Sequence, residues 1–309
     1  MAAGELNGVS LAGSPSRRRR ETAIRWALQV AAAVSIVVSI LIVYSLFESA
    51  LRFLLSLEEI SALWASEGWQ PRSLHFDLRT IFVASIIISG VSVLVSTPLG
   101  VGAAVYLSEY ANPRARRIVK PILEVLAGVP SVVLGFFALT FITPNVVKVI
   151  FPSANGFNML SAGIAVGVLT SPLMASITED SLRAVPHSLR EASFGLGARK
   201  LATTIKVVVP AAISGIVAAF ILTISRAIGE TMVVTIAAGG SGSSPFQASP
   251  LEPSLTMTSA IANLALGSDA PVVGDPFASL YFVGLLLFLV TLGLNILGDR
   301  LVRKYRRAY

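Results

Sequence analysis

Glu191-Ala192-Ser193, then Gly197, then, after nine intervening residues, Val207-Val208-Val209-Pro210, form a polar stretch between two apolar spans. With its upstream arm, Ala184-Val185-Pro186 through Arg190, the stretch predicts a helix, a glycine break and a second helix ending at Pro210, which together make a short helical hairpin. The hairpin carries Arg183, Arg190, Arg199, Lys200 and Lys206. Basic residues between hydrophobic segments collect on the inner side of a membrane, so the hairpin is expected in the cytoplasm.

The whole composition agrees with a membrane setting. The chain has 309 residues, 54% of them hydrophobic and 13% charged, which is too apolar for an ordinary soluble domain of that length. Cysteine is absent, which excludes a disulfide framework, a thiolate metal site and a cysteine nucleophile. His75 and His187 lie in different loops, so no imidazole cluster is expected to hold a metal. A pI near 10.0 comes from charge distributed by topology rather than gathered on a face for nucleic acid.

A window about 19 residues wide gives six apolar spans, near Ile24–Phe47, Thr80–Leu107, Ile118–Ile142, Leu160–Ile177, Val207–Ala238 and Phe277–Leu297. Crossing a hydrocarbon core takes about 20 residues. The expected fold is therefore an all-α polytopic membrane protein with six transmembrane helices. The permease domain is expected over residues 24–300, with a disordered tail over 1–23, a coupling loop over about 179–210 and a basic tail over 301–309. With the N-terminus inside, nineteen of the 24 Lys and Arg fall on the cytoplasmic side, against Arg52, Arg72, Arg79 and Lys148 outside. Both termini are then cytoplasmic.

The outer segment Glu48 to Arg79 contains Trp64 and Trp69, which suit a membrane interface. Gly239 to Pro245 reads as a flexible turn, and Ser254 to Leu266 as a short helix dipping back toward the membrane. Pro98, Pro130, Pro144, Pro172 and Pro210 fall in or at the ends of spans. Such breaks persist in lipid only where neighbours or a wet cavity satisfy the freed carbonyls. Gly163 and Gly167, four apart, permit close helix approach.

Glu-Ala-Ala, three residues, Gly, nine residues and Ile-x-Leu-Pro form the signature loop of ATP-binding-cassette importer permeases. The chain resembles it at full spacing, with Ser193 for the second Ala and Val207 and Val209 for Ile and Leu. Four further segments resemble the phosphate-importer permeases of bacteria: Tyr106 to Tyr110, Lys120 to Glu124 with Gly128 to Val133, Gly135 to Leu139, and Arg226-Ala227-Ile228-Gly229-Glu230-Thr231-Met232. Two permeases, PstC and PstA, pair in that system, and the Lys-Pro-x-Leu-Glu and Arg-Ala-x-Gly-Glu-Thr-Met forms lean toward PstC. The resemblance covers roughly residues 75 to 300 and implies the type I importer permease fold. It also implies a second, PstA-like permease, a PstB-like ATPase dimer that binds ATP and Mg, and a PstS-like phosphate-binding protein outside the membrane. It places the chain in the bacterial inner membrane.

The residues themselves support a transport role without catalysis. No phosphate-binding Gly-x-x-x-x-Gly-Lys-Ser/Thr loop occurs, so ATP must be supplied through a partner. Glu191, Ala192, Ser193, Gly197 and Pro210 are the expected ATPase-coupling residues. Arg226 is the one cation placed well inside a span, with Glu230 four residues on. The two either line the pathway of an anion or form an ion pair that only orients helices. Ser131 and Thr231 offer hydroxyls to a passing anion or back to a helix carbonyl, and Glu109 and Glu124 read as interface or docking carboxylates. Transport of another oxyanion, molybdate or sulfate, shares the hairpin but leaves the other segments unexplained. A membrane enzyme or passive channel leaves the hairpin itself unexplained. The topology predicts that, in this cysteine-free chain, cysteine at Ser244 is labelled by an impermeant reagent from outside and cysteine at Ser188 only from inside; the reverse pattern overturns it.

Overall fold

A computed structural model describes residues 15–57, 60–64, 68–240, 246–266 and 275–305. Residues 1–14, most of the turn expected at 239–245 including Ser244, and the last residues of the basic tail lie outside the described residues. In chain order the helices are α1 (Pro15–Ser56), α2 (Leu78–Tyr110), α3 (Pro113–Ala127), α4 (Ser131–Ile150), α5 (Met159–Arg183), α6 (His187–Gly195), α7 (Lys200–Ala211), α8 (Ile213–Ile228), α9 (Met232–Ala237), α10 (Met257–Leu266) and α11 (Asp275–Tyr305). Among the described residues five are long and apolar enough to span a membrane, and α7 with α8, bent by 69° at Ala212, pass the same test only as a pair.

The described residues up to Glu48 and those from Ser49 onward form separate compact units. In the first, α1 begins at Pro15, earlier than the disordered tail expected to residue 23. Proline suits the first turn of a helix, and the Arg and Glu that follow are good helix formers, so the polar segment continues the apolar helix instead of fraying from it.

In the second unit, Asp77 is buried and starts α2, accepting from the Arg79 amide at 3.1 Å and the Thr80 hydroxyl at 2.7 Å. α2 packs along α5 more extensively than any other helix pair among the described residues. Absent side chains make this possible. A Cβ on Gly163 would lie 2.6 Å from Val91 Cβ, and one on Gly167 2.8 Å from the Ser92 carbonyl oxygen. Where the backbones are this close, Ser92 and Thr170 hydroxyls meet at 3.4 Å between the helices.

Two expected spans are broken. The third does not run through Ile118–Ile142: α3 is a separate amphipathic helix, and α4 starts at Ser131 after the Gly128-Val129-Pro130 break. Proline disfavours helix at the residue before it and cannot donate from its own nitrogen, which separates the two segments. The fifth, expected over Val207–Ala238, is α7, α8 and α9 in succession, with breaks at Ala212 and at Gly229 to Thr231. The second break is satisfied locally. Glu230 turns its carboxylate to the Val233 amide (3.4 Å) at the start of α9, and its carbonyl accepts from the Thr258 hydroxyl at 2.8 Å. Pro172 leaves α5 unbroken, because the carbonyl of Val168 that it cannot reach accepts from Ser171 Oγ at 2.8 Å.

The short helix expected at Ser254 to Leu266 is α10, whose Met257 amide donates to Ser85 Oγ of α2 at 3.0 Å. Trp64 is exposed as expected of an interface residue, but Trp69 is buried against Phe76, ring centroids 5.6 Å apart. Phe76 in turn meets Phe53 edge-on at 4.9 Å, so Trp69 belongs to a small aromatic core. Gly167→Leu is expected to destabilise the protein by about 1–3 kcal/mol through overpacking against backbone, read as a lower midpoint of thermal unfolding in detergent. The same change at Gly102, where a Cβ meets nothing within 4 Å, should leave the midpoint nearly unchanged.

Candidate coupling and translocation sites

The hairpin forms as its sequence predicts. α6 starts after Pro186 and ends at Gly195, and Gly197 takes φ +79°, a conformation that a Cβ disfavours. No heavy atom lies within 4 Å of where its Cβ would be, so backbone conformation rather than crowding selects glycine here. Ser193 Oγ meets Thr203 Oγ1 at 2.9 Å and closes the two arms. Glu191 and Ala192 are exposed, beside the exposed apolar side chains of Phe194, Leu196 and Leu201. The second arm does not end at Pro210. It passes through a π-helical turn at Thr204–Val208 and continues to Ala211, because the wider turn accommodates a proline that cannot donate.

Ion pairs fasten this hairpin to the long helices. Arg190 of α6 reaches Glu109 near the end of α2, Nη2 to Oε1 at 2.9 Å, with both side chains largely buried. Its remaining donors go to the carbonyls of Val185 (2.6 Å) and Leu182 (2.8 Å), the last of these in the final turn of α5. One guanidinium thus ties α6, α2 and the end of α5 in a single planar fork. Lys200, the first residue of α7, lies over the Tyr110 ring 5.0 Å from its centroid. His187 joins Arg183, Arg190 and Lys200 around a cavity of about 530 Å³ beside this junction. Glu109 was expected as a docking carboxylate, but both its oxygens are engaged within the chain. A sequence of isolated charges shows neither the pairing nor its burial.

A second tie involves Glu179 of α5, which is buried and accepts from Arg116 of α3 at 2.6 Å, with Arg183 at 3.6 Å. It holds α3 against α5. Next to it a cavity of about 370 Å³ lies between α3, α5 and α8, and Arg226 is on its wall. The α5 side is one stripe, Leu169, Pro172, Leu173, Ser176 and Glu179, and the α3 side another, Lys120, Leu123, Glu124 and Ala127. At 1.5 Å per residue the α5 stripe is about 15 Å long. Arg226 is at the level of the middle of α5, since Thr223, one turn earlier on α8, contacts Met174 Sδ at 3.6 Å.

The expected pairing of Arg226 with Glu230 is not formed. α8 ends at Ile228, so the two residues do not share one helical face, and Glu230 caps α9 instead. Thr231 donates to the Gly229 carbonyl at 3.4 Å, the local alternative for that hydroxyl. Ser131 is the first residue of α4 and half-buried, on a helix that packs closely on α9 through Gly135 and Ile236. Glu124 was read as an interface or docking carboxylate; the amphipathic α3 puts it, with Lys120, on the wall of the cavity.

Residues 96–307 match the family described as binding-protein-dependent transport system inner membrane component, and the chain belongs to that family. It is thus a permease component of a transport system. The chain is 32% identical over 73% of its length, and 73% of the relative's, to the phosphate transport system permease protein PstC of Mesorhizobium japonicum. It is 31% identical to PstC 1 of Mycobacterium tuberculosis, covering 77% of this chain and 75% of that one. Among solved structures it is similar to a bacterial alginate ABC transporter bound to an alginate pentasaccharide-loaded periplasmic protein, with TM-score 0.66 and 14% identity over 94% of this chain and 98% of that chain. It is also similar to the MetNI methionine ABC transporter in an inward-facing conformation, with TM-score 0.56 and 22% identity over 72% and 94% of the two chains. These two likenesses confirm the importer-permease fold read from the hairpin.

Removing the Arg190 side chain leaves the Glu109 carboxylate with only the Ser108 hydroxyl as hydrogen-bond donor, a loss of about 1–3 kcal/mol. Arg190→Ala is therefore expected to lower the unfolding midpoint and the amount of substrate moved per ATP hydrolysed. The Arg190→Ala, Glu109→Ala double variant should be less damaged than the sum of the single variants, which a double-mutant cycle in reconstituted complex measures.

Proposed function

We infer that the chain is the PstC-type permease half of an ATP-driven importer that carries inorganic phosphate into the bacterial cytoplasm. The observation that carries this reading is the similarity to phosphate permeases at about a third identity over about three quarters of the chain. An arginine facing a cavity within a span supports an anionic cargo, because its planar fork matches phosphate oxygens. The chain itself hydrolyses nothing in this reading. Its partners are a PstA-like second permease, a PstB-like ATPase dimer holding ATP and Mg, and a PstS-like phosphate-binding protein, with both termini of this chain in the cytoplasm.

The hairpin is the contact with the ATPase. Glu191, Ala192 and Ser193 lie on α6, the Gly197 turn sets its angle to α7, and Pro210 lies just before the bend into α8. Motion imposed on α6 reaches α2 and α5 through Arg190, and α8 through α7. Arg226 meets the cargo. Glu230, Thr231 and Ser131 border the same pathway at the break between α8 and α9 and at the start of α4.

Uptake of labelled phosphate by proteoliposomes holding the complete complex, with ATP inside and the binding protein outside, tests the reading. Phosphate uptake that sulfate and molybdate do not replace is expected, and uptake of one of those anions in preference overturns it. Arg226→Gln should abolish transport with the ATPase still co-purifying, and Arg226→Lys should impair it. Normal transport by Arg226→Gln complexes removes Arg226 from the pathway.

A further inference from the structure

The cavity under Arg226 carries more charge than the inferred pathway requires of a single arginine. Lys120 and Glu124 share its wall with Arg226, on a different helix. Glu179, at the Arg116 end, is already neutralised by Arg116 and Arg183. Lys120, Glu124 and Arg226, by contrast, make no side-chain hydrogen bond or ion pair among the described residues, although Lys120 and Glu124 are spaced to meet on α3. Two cations and one carboxylate, without partners among the described residues, therefore line one space of about 370 Å³, large enough for a small hydrated oxyanion.

Such a constellation distinguishes oxyanions by their protons. The two cations attract any of them. A carboxylate repels an anion unless the anion brings a hydrogen to donate, and phosphate near neutral pH retains at least one hydroxyl whereas sulfate has none. Resting on the phosphate reading above, we propose that Lys120, Arg226 and Glu124 form a chamber on the hairpin side of the permease that receives phosphate through two cationic contacts and one P–OH donor to the Glu124 carboxylate. The net charge of the three groups is +1, which attracts the anion without balancing it fully and so favours onward release. Selectivity is then exercised by the permease itself. An acceptor that demands a donor discriminates by roughly tenfold or more, the scale of one charge-assisted hydrogen bond left unmade.

Ser176, exposed on the α5 wall of the chamber, provides a reporter in a chain without native cysteine. In the assembled complex carrying Ser176→Cys, without binding protein, the rate of modification by a neutral maleimide is measured against increasing phosphate or sulfate at constant ionic strength. Phosphate is expected to slow labelling at a concentration roughly tenfold lower than sulfate does. Adding Glu124→Gln, whose amide both donates and accepts, should bring sulfate to within about twofold of phosphate, and adding Lys120→Gln should weaken protection by both anions. Equal protection by the two anions, or none by either, in the Ser176→Cys complex overturns the proposal. Protection by phosphatidate in nanodiscs but not by soluble phosphate also overturns it, by assigning the cavity to a lipid headgroup. Phosphate uptake by the same complex is assayed in parallel, so that a complex that transports phosphate without chamber protection refutes the chamber alone, and one that transports no phosphate refutes the function.

Discussion

Every backbone amide and carbonyl in an apolar span must find a partner within the protein, and the architecture follows from how this chain meets that constraint at its prolines and where its helices break. Ser171 supplies a hydroxyl to the carbonyl that Pro172 abandons. At Gly229 to Thr231, Thr258 of α10 supplies one to the Glu230 carbonyl while the Glu230 side chain caps α9. Ser85 accepts from the first amide of α10. The short helix that dips beside α2 therefore completes the hydrogen bonding of the interrupted span and is itself anchored by it. Breaks held in this way open space between helices without exposing unpaired backbone, and the cavity beside α3, α5 and α8 occupies such a space.

At the hairpin end of the molecule the organising force changes from backbone hydrogen bonding to charge. Arg190 and Glu109 are buried together, and Arg116, Glu179 and Arg183 form a second cluster one turn away on α5. Replacing such pairs by apolar residues often costs little stability, so their use here is better understood through geometry. A guanidinium bound to a carboxylate and to two carbonyls fixes both position and orientation of α6 against two long helices. In the proposed function the hairpin is moved by another protein, and it needs that rigidity to move the spans as well.

The family relationship and the fold were accessible from the hairpin alone, because its spacing reflects local requirements. A glycine at positive φ is needed wherever α6 turns into α7, and the residues around it have few other constraints. The glycines at 163 and 167 were equally legible, since a small residue every fourth position has one common use in a span. Reading failed at Ile118–Ile142 and Val207–Ala238 for a shared reason. Hydropathy averaged over a window does not register a proline or glycine that divides an apolar run, nor the hydroxyl from a distant helix that stabilises the division. Trp69 was misplaced because an aromatic near an interface and an aromatic in a small core have the same local sequence.

The sequence by itself determined the all-helical membrane architecture, the hairpin and its turn, and the close pair of helices. These depend on composition, on spacing along a helix and on single-residue backbone preferences, all of which are local. The tertiary structure alone decided which charges meet. It separated Arg226 from Glu230 by ending α8 between them, gave Glu109 to Arg190 across 81 residues of chain, and turned Lys120 and Glu124 toward Arg226 by laying α3 along α5. Charge pairing acts over a few ångströms in space, and distance in space is fixed by packing rather than by position in the chain.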